Sequence, residues 1–366
     1  MNNRITSVSL FKCISIFAII LTHYSQCFSI GYLNNFLSFG QMGCQVFFVL
    51  SSFCLCLSQE SNSYPYSKYV RKRLFSFYIP WLLAILIFVL IHLTSLFVFK
   101  RTLIATSINP TYIVCNVFLV HGLVPKAINS VVLGGWYIGT LVILYLIHPL
   151  LFKIYKNRFY RKKELIFILI PFAICLAMIK FLSLCFPSLS IANNDFLYFS
   201  FLNQLPCFLI GILLWGAIRN NKTSTLHPLF SLLCLTLSIV LFYCNIPFTF
   251  FLLPLVFSFS FFYLFLWSYR FSFRISPLNK FLLNVGDHTL SIYLTHIMSA
   301  WLLTNLIKHQ LKVFVQNEYA LFLIILVPML VCVLVLASCF GFVSTRFKNI
   351  ILSQAASNSS SHRKTN

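Results

Sequence analysis

Residues 6–27 read TSVSLFKCISIFAIILTHYSQC, an apolar run long enough to cross a bilayer, with Lys12 and His23 on one helical face. Eleven residues at about 100° each return nearly to the starting angle, so the two side chains point the same way. At 1.5 Å per residue they stand roughly 16 Å apart along the axis, about half the hydrocarbon thickness. An ionisable side chain at that depth is costly, which makes both residues functional candidates.

Nine further apolar runs follow, near 39–58, 74–99, 133–152, 164–186, 199–217, 227–243, 249–268, 289–307 and 319–345. The chain is 60% hydrophobic and only 9% charged, whereas a soluble domain carries about 25% charged residues. Mean hydropathy is +0.90, more apolar surface than a soluble core can bury. The expected fold is all-α, a polytopic transmembrane helical bundle forming one integral-membrane domain over residues 1–352. The Ser-rich stretch 353–366 is expected to be a disordered polar tail.

Charge sets the number of crossings. Loop 59–73 holds Lys68, Arg71, Lys72 and Arg73, and loop 153–163 holds Lys153, Lys156, Arg158, Arg161, Lys162 and Lys163. The positive-inside rule puts both in the cytoplasm. Between them lie the runs 74–99 and 133–152 and a short run, 112–121, about half the length a span needs. Three crossings would separate the basic loops, and two keep them together. The segment 112–132 therefore reads as re-entrant or surface-lying, leaving ten crossings. Loops 218–226 and 269–283, with Arg219, Lys222, Arg270, Arg274 and Lys280, fall inside by the same rule, and 187–198, without Lys or Arg, falls outside.

The net charge of +22, from 27 Lys and Arg against 5 Asp and Glu, sits mainly in these short loops. It points to anionic lipid head groups as partners rather than nucleic acid. The 13 cysteines fall largely within apolar runs, where they read as small packing residues, and none has zinc-site spacing. None of Glu60, Glu164, Asp195, Asp287 and Glu318 is mid-span. That excludes a paired-carboxylate hydrolase and argues against a proton-coupled pump, which uses intramembrane carboxylates.

Histidines are the remaining candidates. His23 lies beyond mid-membrane toward the outside, and Lys12 lies toward the cytoplasm. His121, His148 and His296 lie in or beside other apolar runs, where a lone histidine is more often structural than catalytic. Arg71, Lys72 and Arg73 are either ordinary membrane anchors or a clamp for the phosphates of a cytosolic cofactor.

Several motifs in chain order carry a resemblance. They are Ser9-Leu-Phe-Lys12 through His23; Gln45-Val-Phe-Phe-Val-Leu-Ser-Ser-Phe53; Tyr69-Val-Arg-Lys-Arg73 with Pro80; Asn129-Ser-Val-Val-Leu-Gly-Gly-Trp136-Tyr-Ile-Gly139 with Tyr145 and Pro149; Asn203-Gln-Leu-Pro206 with Gly211; and Gly286 with Ser291-Ile-Tyr-Leu-Thr-His296. Together they resemble the membrane acyltransferase-3 family over most of the chain. The resemblance implies an enzyme of the bacterial cell inner membrane that moves an acyl group, usually acetyl, from cytosolic acyl-CoA to a hydroxyl. The acceptor it implies is a lipid-linked or surface polysaccharide such as O-antigen. It also implies His23 as catalytic residue, Lys12, Arg71 and Arg73 as binding acetyl-CoA, and Trp136, Tyr145 and His296 as substrate-binding, with no metal. Ser76 and Leu141 stand where many members carry Arg and Glu. The competing readings are a polyisoprenoid-glycan flippase or exporter and an inactive acyltransferase-like scaffold.

Overall fold

The structure is a computed structural model, and it describes residues 2–61, 65–100, 107–161, 163–189, 195–222, 224–244, 249–269 and 277–362. Among them every regular element is helical and there is no strand. The first half contains α1 (Asn2–Ser25), α2 (Tyr32–Ser38), α3 (Gly43–Ser61), α4 (Tyr66–Phe99), α5 (Pro110–Val117), α6 (Trp136–Ile154) and α7 (Ile166–Cys185). The second contains α8 (Phe196–Phe199), α9 (Phe201–Arg219), α10 (His227–Cys244), α11 (Thr249–Ser268), α12 (Pro277–Asp287), α13 (Thr289–Leu311) and α14 (Glu318–His362). Ten segments are long and apolar enough to span a membrane, and they coincide with the ten runs read from the sequence.

Burial sorts these spans. The segment built on α9 is 89% buried and forms the centre of the bundle, whereas α10 is 17% buried and α7 22% buried. Outward leucines and isoleucines on α7 and α10, such as Leu169, Ile174, Leu232 and Leu237, are exposed and suit a lipid surface. One apolar core joins α1, α4, α6, α13 and α14, and a second packs α9 against α3, α7 and α11. Helix-internal prolines, including Pro80, Pro149 and Pro206, are tolerated because neighbouring helices supply packing at membrane depth.

Two glycines set the closest helix crossings. A Cβ on Gly211 of α9 would lie 2.2 Å from the Val49 carbonyl oxygen of α3, and one on Gly286 of α12 would lie 1.9 Å from the Ser9 carbonyl oxygen of α1. In both cases the obstacle is backbone, which cannot swing aside as a side chain can. Gly211→Val is expected to destabilise the fold by about 1–3 kcal/mol or more, the usual cost of overpacking. A lower unfolding temperature in detergent than the wild-type checks this, and an unchanged one contradicts it.

Polar contacts show which loops share an end. Glu60, at the end of α3, accepts from Arg219 and from Trp215 Nε1 (3.1 Å) on α9. The Arg161 Nε donates to Asn220 Oδ1 at 2.7 Å, and Lys222 pairs with Glu164. Loops 59–73 and 153–163 therefore lie at one end of the bundle, the basic end, as the crossing count requires. At the opposite end Lys308 and Lys312 pair with Glu318 at 2.7 and 3.0 Å, and Lys308 donates to the Cys27 carbonyl at 2.6 Å. Arg270 and Arg274 lie outside the described residues, and Lys280 is exposed.

The segment 112–132 does not cross. After α5 the chain makes a short turn at His121–Leu123 and then runs irregularly to Trp136. It tucks His121, Gly122, Ala127 and Ile128 inward and leaves Phe118 and Leu123 exposed. The C-terminus differs from expectation. α14 does not stop near 352 but continues to His362, through most of the stretch read as a disordered tail. Extending a helix needs no new nucleus, and residues 353–362 contain no proline or glycine to end it. Residues 363–366 lie outside the described ones.

Candidate active site

His23 lies in the last turn of α1, close to the end opposite the basic loops. Beside it is a cavity of about 230 Å³, walled by Gln26, Gln41, Gln45, Asn129, Trp136 and Trp301 among others. The wall also includes Tyr198 and Tyr293 but no lysine, arginine, aspartate or glutamate. Several elements converge here. α1 brings His23, and the tight turn before α3 brings Gln41. The loop before α6 brings Asn129, the first residue of α6 is Trp136, and α13 brings Trp301. Gly134 adopts φ +77°, a left-handed conformation favourable to glycine. In that turn its N–H donates to Asn129 Oδ1 (2.8 Å) and its carbonyl accepts from the Tyr293 hydroxyl (2.8 Å), tying the loop to α13.

The protonation pattern follows from the hydrogen bonds. His23 Nδ1 is 3.2 Å from Gln26 Oε1. An amide oxygen can only accept, so Nδ1 carries the hydrogen and Nε2 is the nitrogen left for another partner. His296 Nδ1 likewise donates to the Tyr293 carbonyl at 2.6 Å, and its Nε2 is buried without a protein partner. The two imidazole rings are 5.3 Å apart. His296 is fully buried beside the His23 ring and is absent from the cavity wall.

Two further polar atoms, on residues that line the cavity, lack partners. Gln45 donates through Nε2 to Gln204 Oε1 (3.1 Å), yet its own Oε1 is buried and unpaired, as is Trp301 Nε1. A buried unpaired polar atom is costly, and both of these belong to residues that line the cavity. The indole of Trp136 stacks on Phe199 at 4.6 Å and gives the cavity a flat aromatic side.

A second group lies in the basic half. Arg73, on α4, is half-buried, with its guanidinium over the Tyr69 ring (5.9 Å) and its Nε buried and unpaired. Lys12 and Arg73 both act electrostatically on Cys54 of α3, and Arg73 also acts on Tyr145 and His148 of α6. Tyr145 belongs to this group and not to the His23 cavity. Between the two groups the Ser51 hydroxyl lies 3.5 Å from the Tyr137 hydroxyl and within hydrogen-bonding reach of Tyr145, while the Tyr137 and Tyr293 rings are 5.2 Å apart. A line of hydroxyls and aromatic rings thus connects Arg73 with the His23 cavity through the bundle interior.

Other candidates take structural places. Arg71 is exposed, and two helical residues from Arg73 amount to about 200°, so it faces away from the Arg73 group. Ser76 donates to the Arg73 carbonyl at 2.6 Å, and Leu141 is part of the apolar core. His121 stacks on Trp81 at 5.1 Å and holds Gly135 O at 3.2 Å through Nε2. Burial pushes its pKa down to about 4, so it stays neutral. His148 packs on Phe152 with its Nε2 at 3.5 Å from Cys56 Sγ. Gln26 was missed by sequence reading, although it sits three residues after His23, the spacing at which helical side chains meet.

Searches of curated proteins and of solved structures returned no match to the chain. The model of one family, described as an acyltransferase domain, matches residues 5–340, nearly the whole chain and every span that carries the residues above. The chain is a multi-pass membrane protein that belongs to this family, and it is an acyltransferase.

Proposed function

We propose that this acyltransferase moves an acetyl group from cytosolic acetyl-CoA to a hydroxyl of a cell-surface polysaccharide such as O-antigen, in the bacterial inner membrane. The observation that carries the reading is the His23 imidazole, held through Nδ1 by Gln26. Its Nε2 is free, and it borders a cavity of amides and indoles at the end away from the basic loops. The positive-inside rule assigns those loops, and so the donor side, to the cytoplasm.

The donor's phosphates suit the Arg73 group. A half-buried guanidinium with an unpaired Nε offers charge-assisted hydrogen bonds at the basic end. The acyl thioester is the reactive part of that donor when bound. In the cavity, His23 Nε2 takes the proton of the acceptor hydroxyl as its oxygen bonds to the acyl carbon. The carbon–sulfur bond breaks, the thiolate departs, and the proton on the imidazolium passes to that sulfur. Acyl ester and free thiol are the products. Gln26 holds Nδ1–H, and so supplies as a neutral amide the orientation that a carboxylate gives in many hydrolases.

Mass spectrometry of surface glycans from strains with and without the gene tests the reading, which expects acetyl esters to vanish in the deletion strain. Unchanged glycans would count against it. Gln26→Leu is expected to lower kcat by about 2–10-fold, the range of one hydrogen bond of 0.5–1.5 kcal/mol, with KM unchanged. Gln26→Glu, which can still accept from Nδ1, should restore much of that loss. Equal kcat in all three proteins would remove Gln26 from the mechanism.

A further inference from the structure

A second cavity, of about 380 Å³, opens beside the His23 cavity on the same end of the bundle. The two share Asn129 and Phe199 in their walls, so they are adjacent across those two residues. The outer part is bounded by Tyr112, Pro125, Lys126 and Asp195. Its character differs from the inner part, which holds no charged side chain, because the outer part carries one cation and one carboxylate.

Asp195 stands apart among the acidic residues. Glu60 is held by Arg219, Glu164 by Lys222, and Glu318 by Lys308 and Lys312, while Asp287 accepts from Ser9 Oγ at 2.6 Å. Among the described residues the Asp195 carboxylate has no such partner, and neither has the Lys126 ammonium. Both are exposed at the mouth of the outer cavity. A scarce carboxylate left uncommitted beside an uncommitted lysine gives a rim that both accepts and donates hydrogen bonds. The ring of Tyr112, the face of Pro125 and the shared Phe199 provide the apolar floor. Neutral sugar rings present this combination, with C–H faces and hydroxyls that both donate and accept. With one cation and one carboxylate, the rim has no net charge to favour an anionic ligand over a neutral one.

We propose that the outer cavity is a second sugar subsite, holding the residue next to the one that is acylated. The acceptor is then a glycan of two or more sugars, recognised across the shared Asn129–Phe199 boundary. This inference rests on the reading of the His23 cavity as the acceptor site.

The test is ligand binding to the full chain in lipid nanodiscs, followed by fluorescence of Trp136 and the other tryptophans, without donor. The probes are mono-, di- and trisaccharides of rhamnose, galactose, mannose and N-acetylglucosamine. In at least one series the disaccharide should bind about tenfold more tightly than the monosaccharide, the value of one charge-assisted hydrogen bond. The Lys126→Ala/Asp195→Ala double variant should lose that gain and keep the monosaccharide affinity. Both residues are exposed loop positions, and a circular-dichroism spectrum equal to wild-type shows that the fold is intact. Equal affinity for one and two rings in every series, a gain that survives in the variant, or no binding of any probe overturns the proposal. Monosaccharide binding without a gain for the disaccharide counts against the outer subsite alone, whereas no binding of any probe counts against the His23 cavity as the acceptor site as well.

Discussion

Replacing His23 by alanine is expected to reduce acyl transfer by about 10²–10⁴-fold, the usual contribution of a positioned general base. Amounts of folded protein should stay near wild-type, because His23 borders a cavity and is not fixed within the apolar core. Imidazole is the side chain whose ordinary pKa suits proton transfer near neutrality. His23 also has the arrangement a base needs, with Nδ1 held by Gln26 and Nε2 free. His296→Ala should cost less, since that ring lies beside His23 at 5.3 Å and does not line the cavity. The measurement is acetyl transfer from labelled acetyl-CoA to lipid-linked glycan extracted from host membranes. Near wild-type transfer by purified His23→Ala protein would remove this residue from the mechanism.

Arg73→Ala should act on the other substrate. Removing a charge-assisted bond worth about 1.5–3 kcal/mol corresponds to a roughly 10–150-fold rise in the acetyl-CoA concentration needed for half-maximal rate. The rate at saturating donor should change much less. Arg71→Ala is the internal control, because Arg71 is exposed on the other side of α4 and should leave the donor curve where it is. Titration of acetyl-CoA against both variants separates a phosphate contact from a general loss of basic charge. Superimposable curves for Arg73→Ala and wild-type would return Arg73 to the status of a membrane anchor.

The spans were legible because a bilayer demands long apolar runs, and the short segment 112–132 was legible through the crossing parity of basic loops. The extent of α14 was not. A Ser-rich composition reads as disorder, whereas a helix already formed continues until something stops it. The site was half legible. Lys12 and His23 share a face of one helix, and that relation is fixed by residue spacing alone. Nine helical residues place Trp136 and Tyr145 about 180° and roughly 13 Å apart, so Trp136 lines the His23 cavity and Tyr145 lies toward Arg73. The pairing of His23 with His296 and the approach of Lys12 and Arg73 to Cys54 depend on how α1, α3, α4 and α13 pack. Spacing within one helix carries no information about that. Asn129, Gln45 and Tyr293 lay inside the recognised motifs, but only the tertiary arrangement turns them into walls of one cavity.

The central claim is that donor and acceptor meet from opposite ends of the bundle. Sealed inside-out membrane vesicles test it most directly, with the basic end facing the medium and lipid-linked glycan enclosed in the lumen. Labelled acetyl-CoA added to the medium should yield acetylated glycan in the lumen with wild-type protein and none with His23→Ala. Acetylation confined to glycan supplied in the medium, on the same side as the donor, would contradict the account.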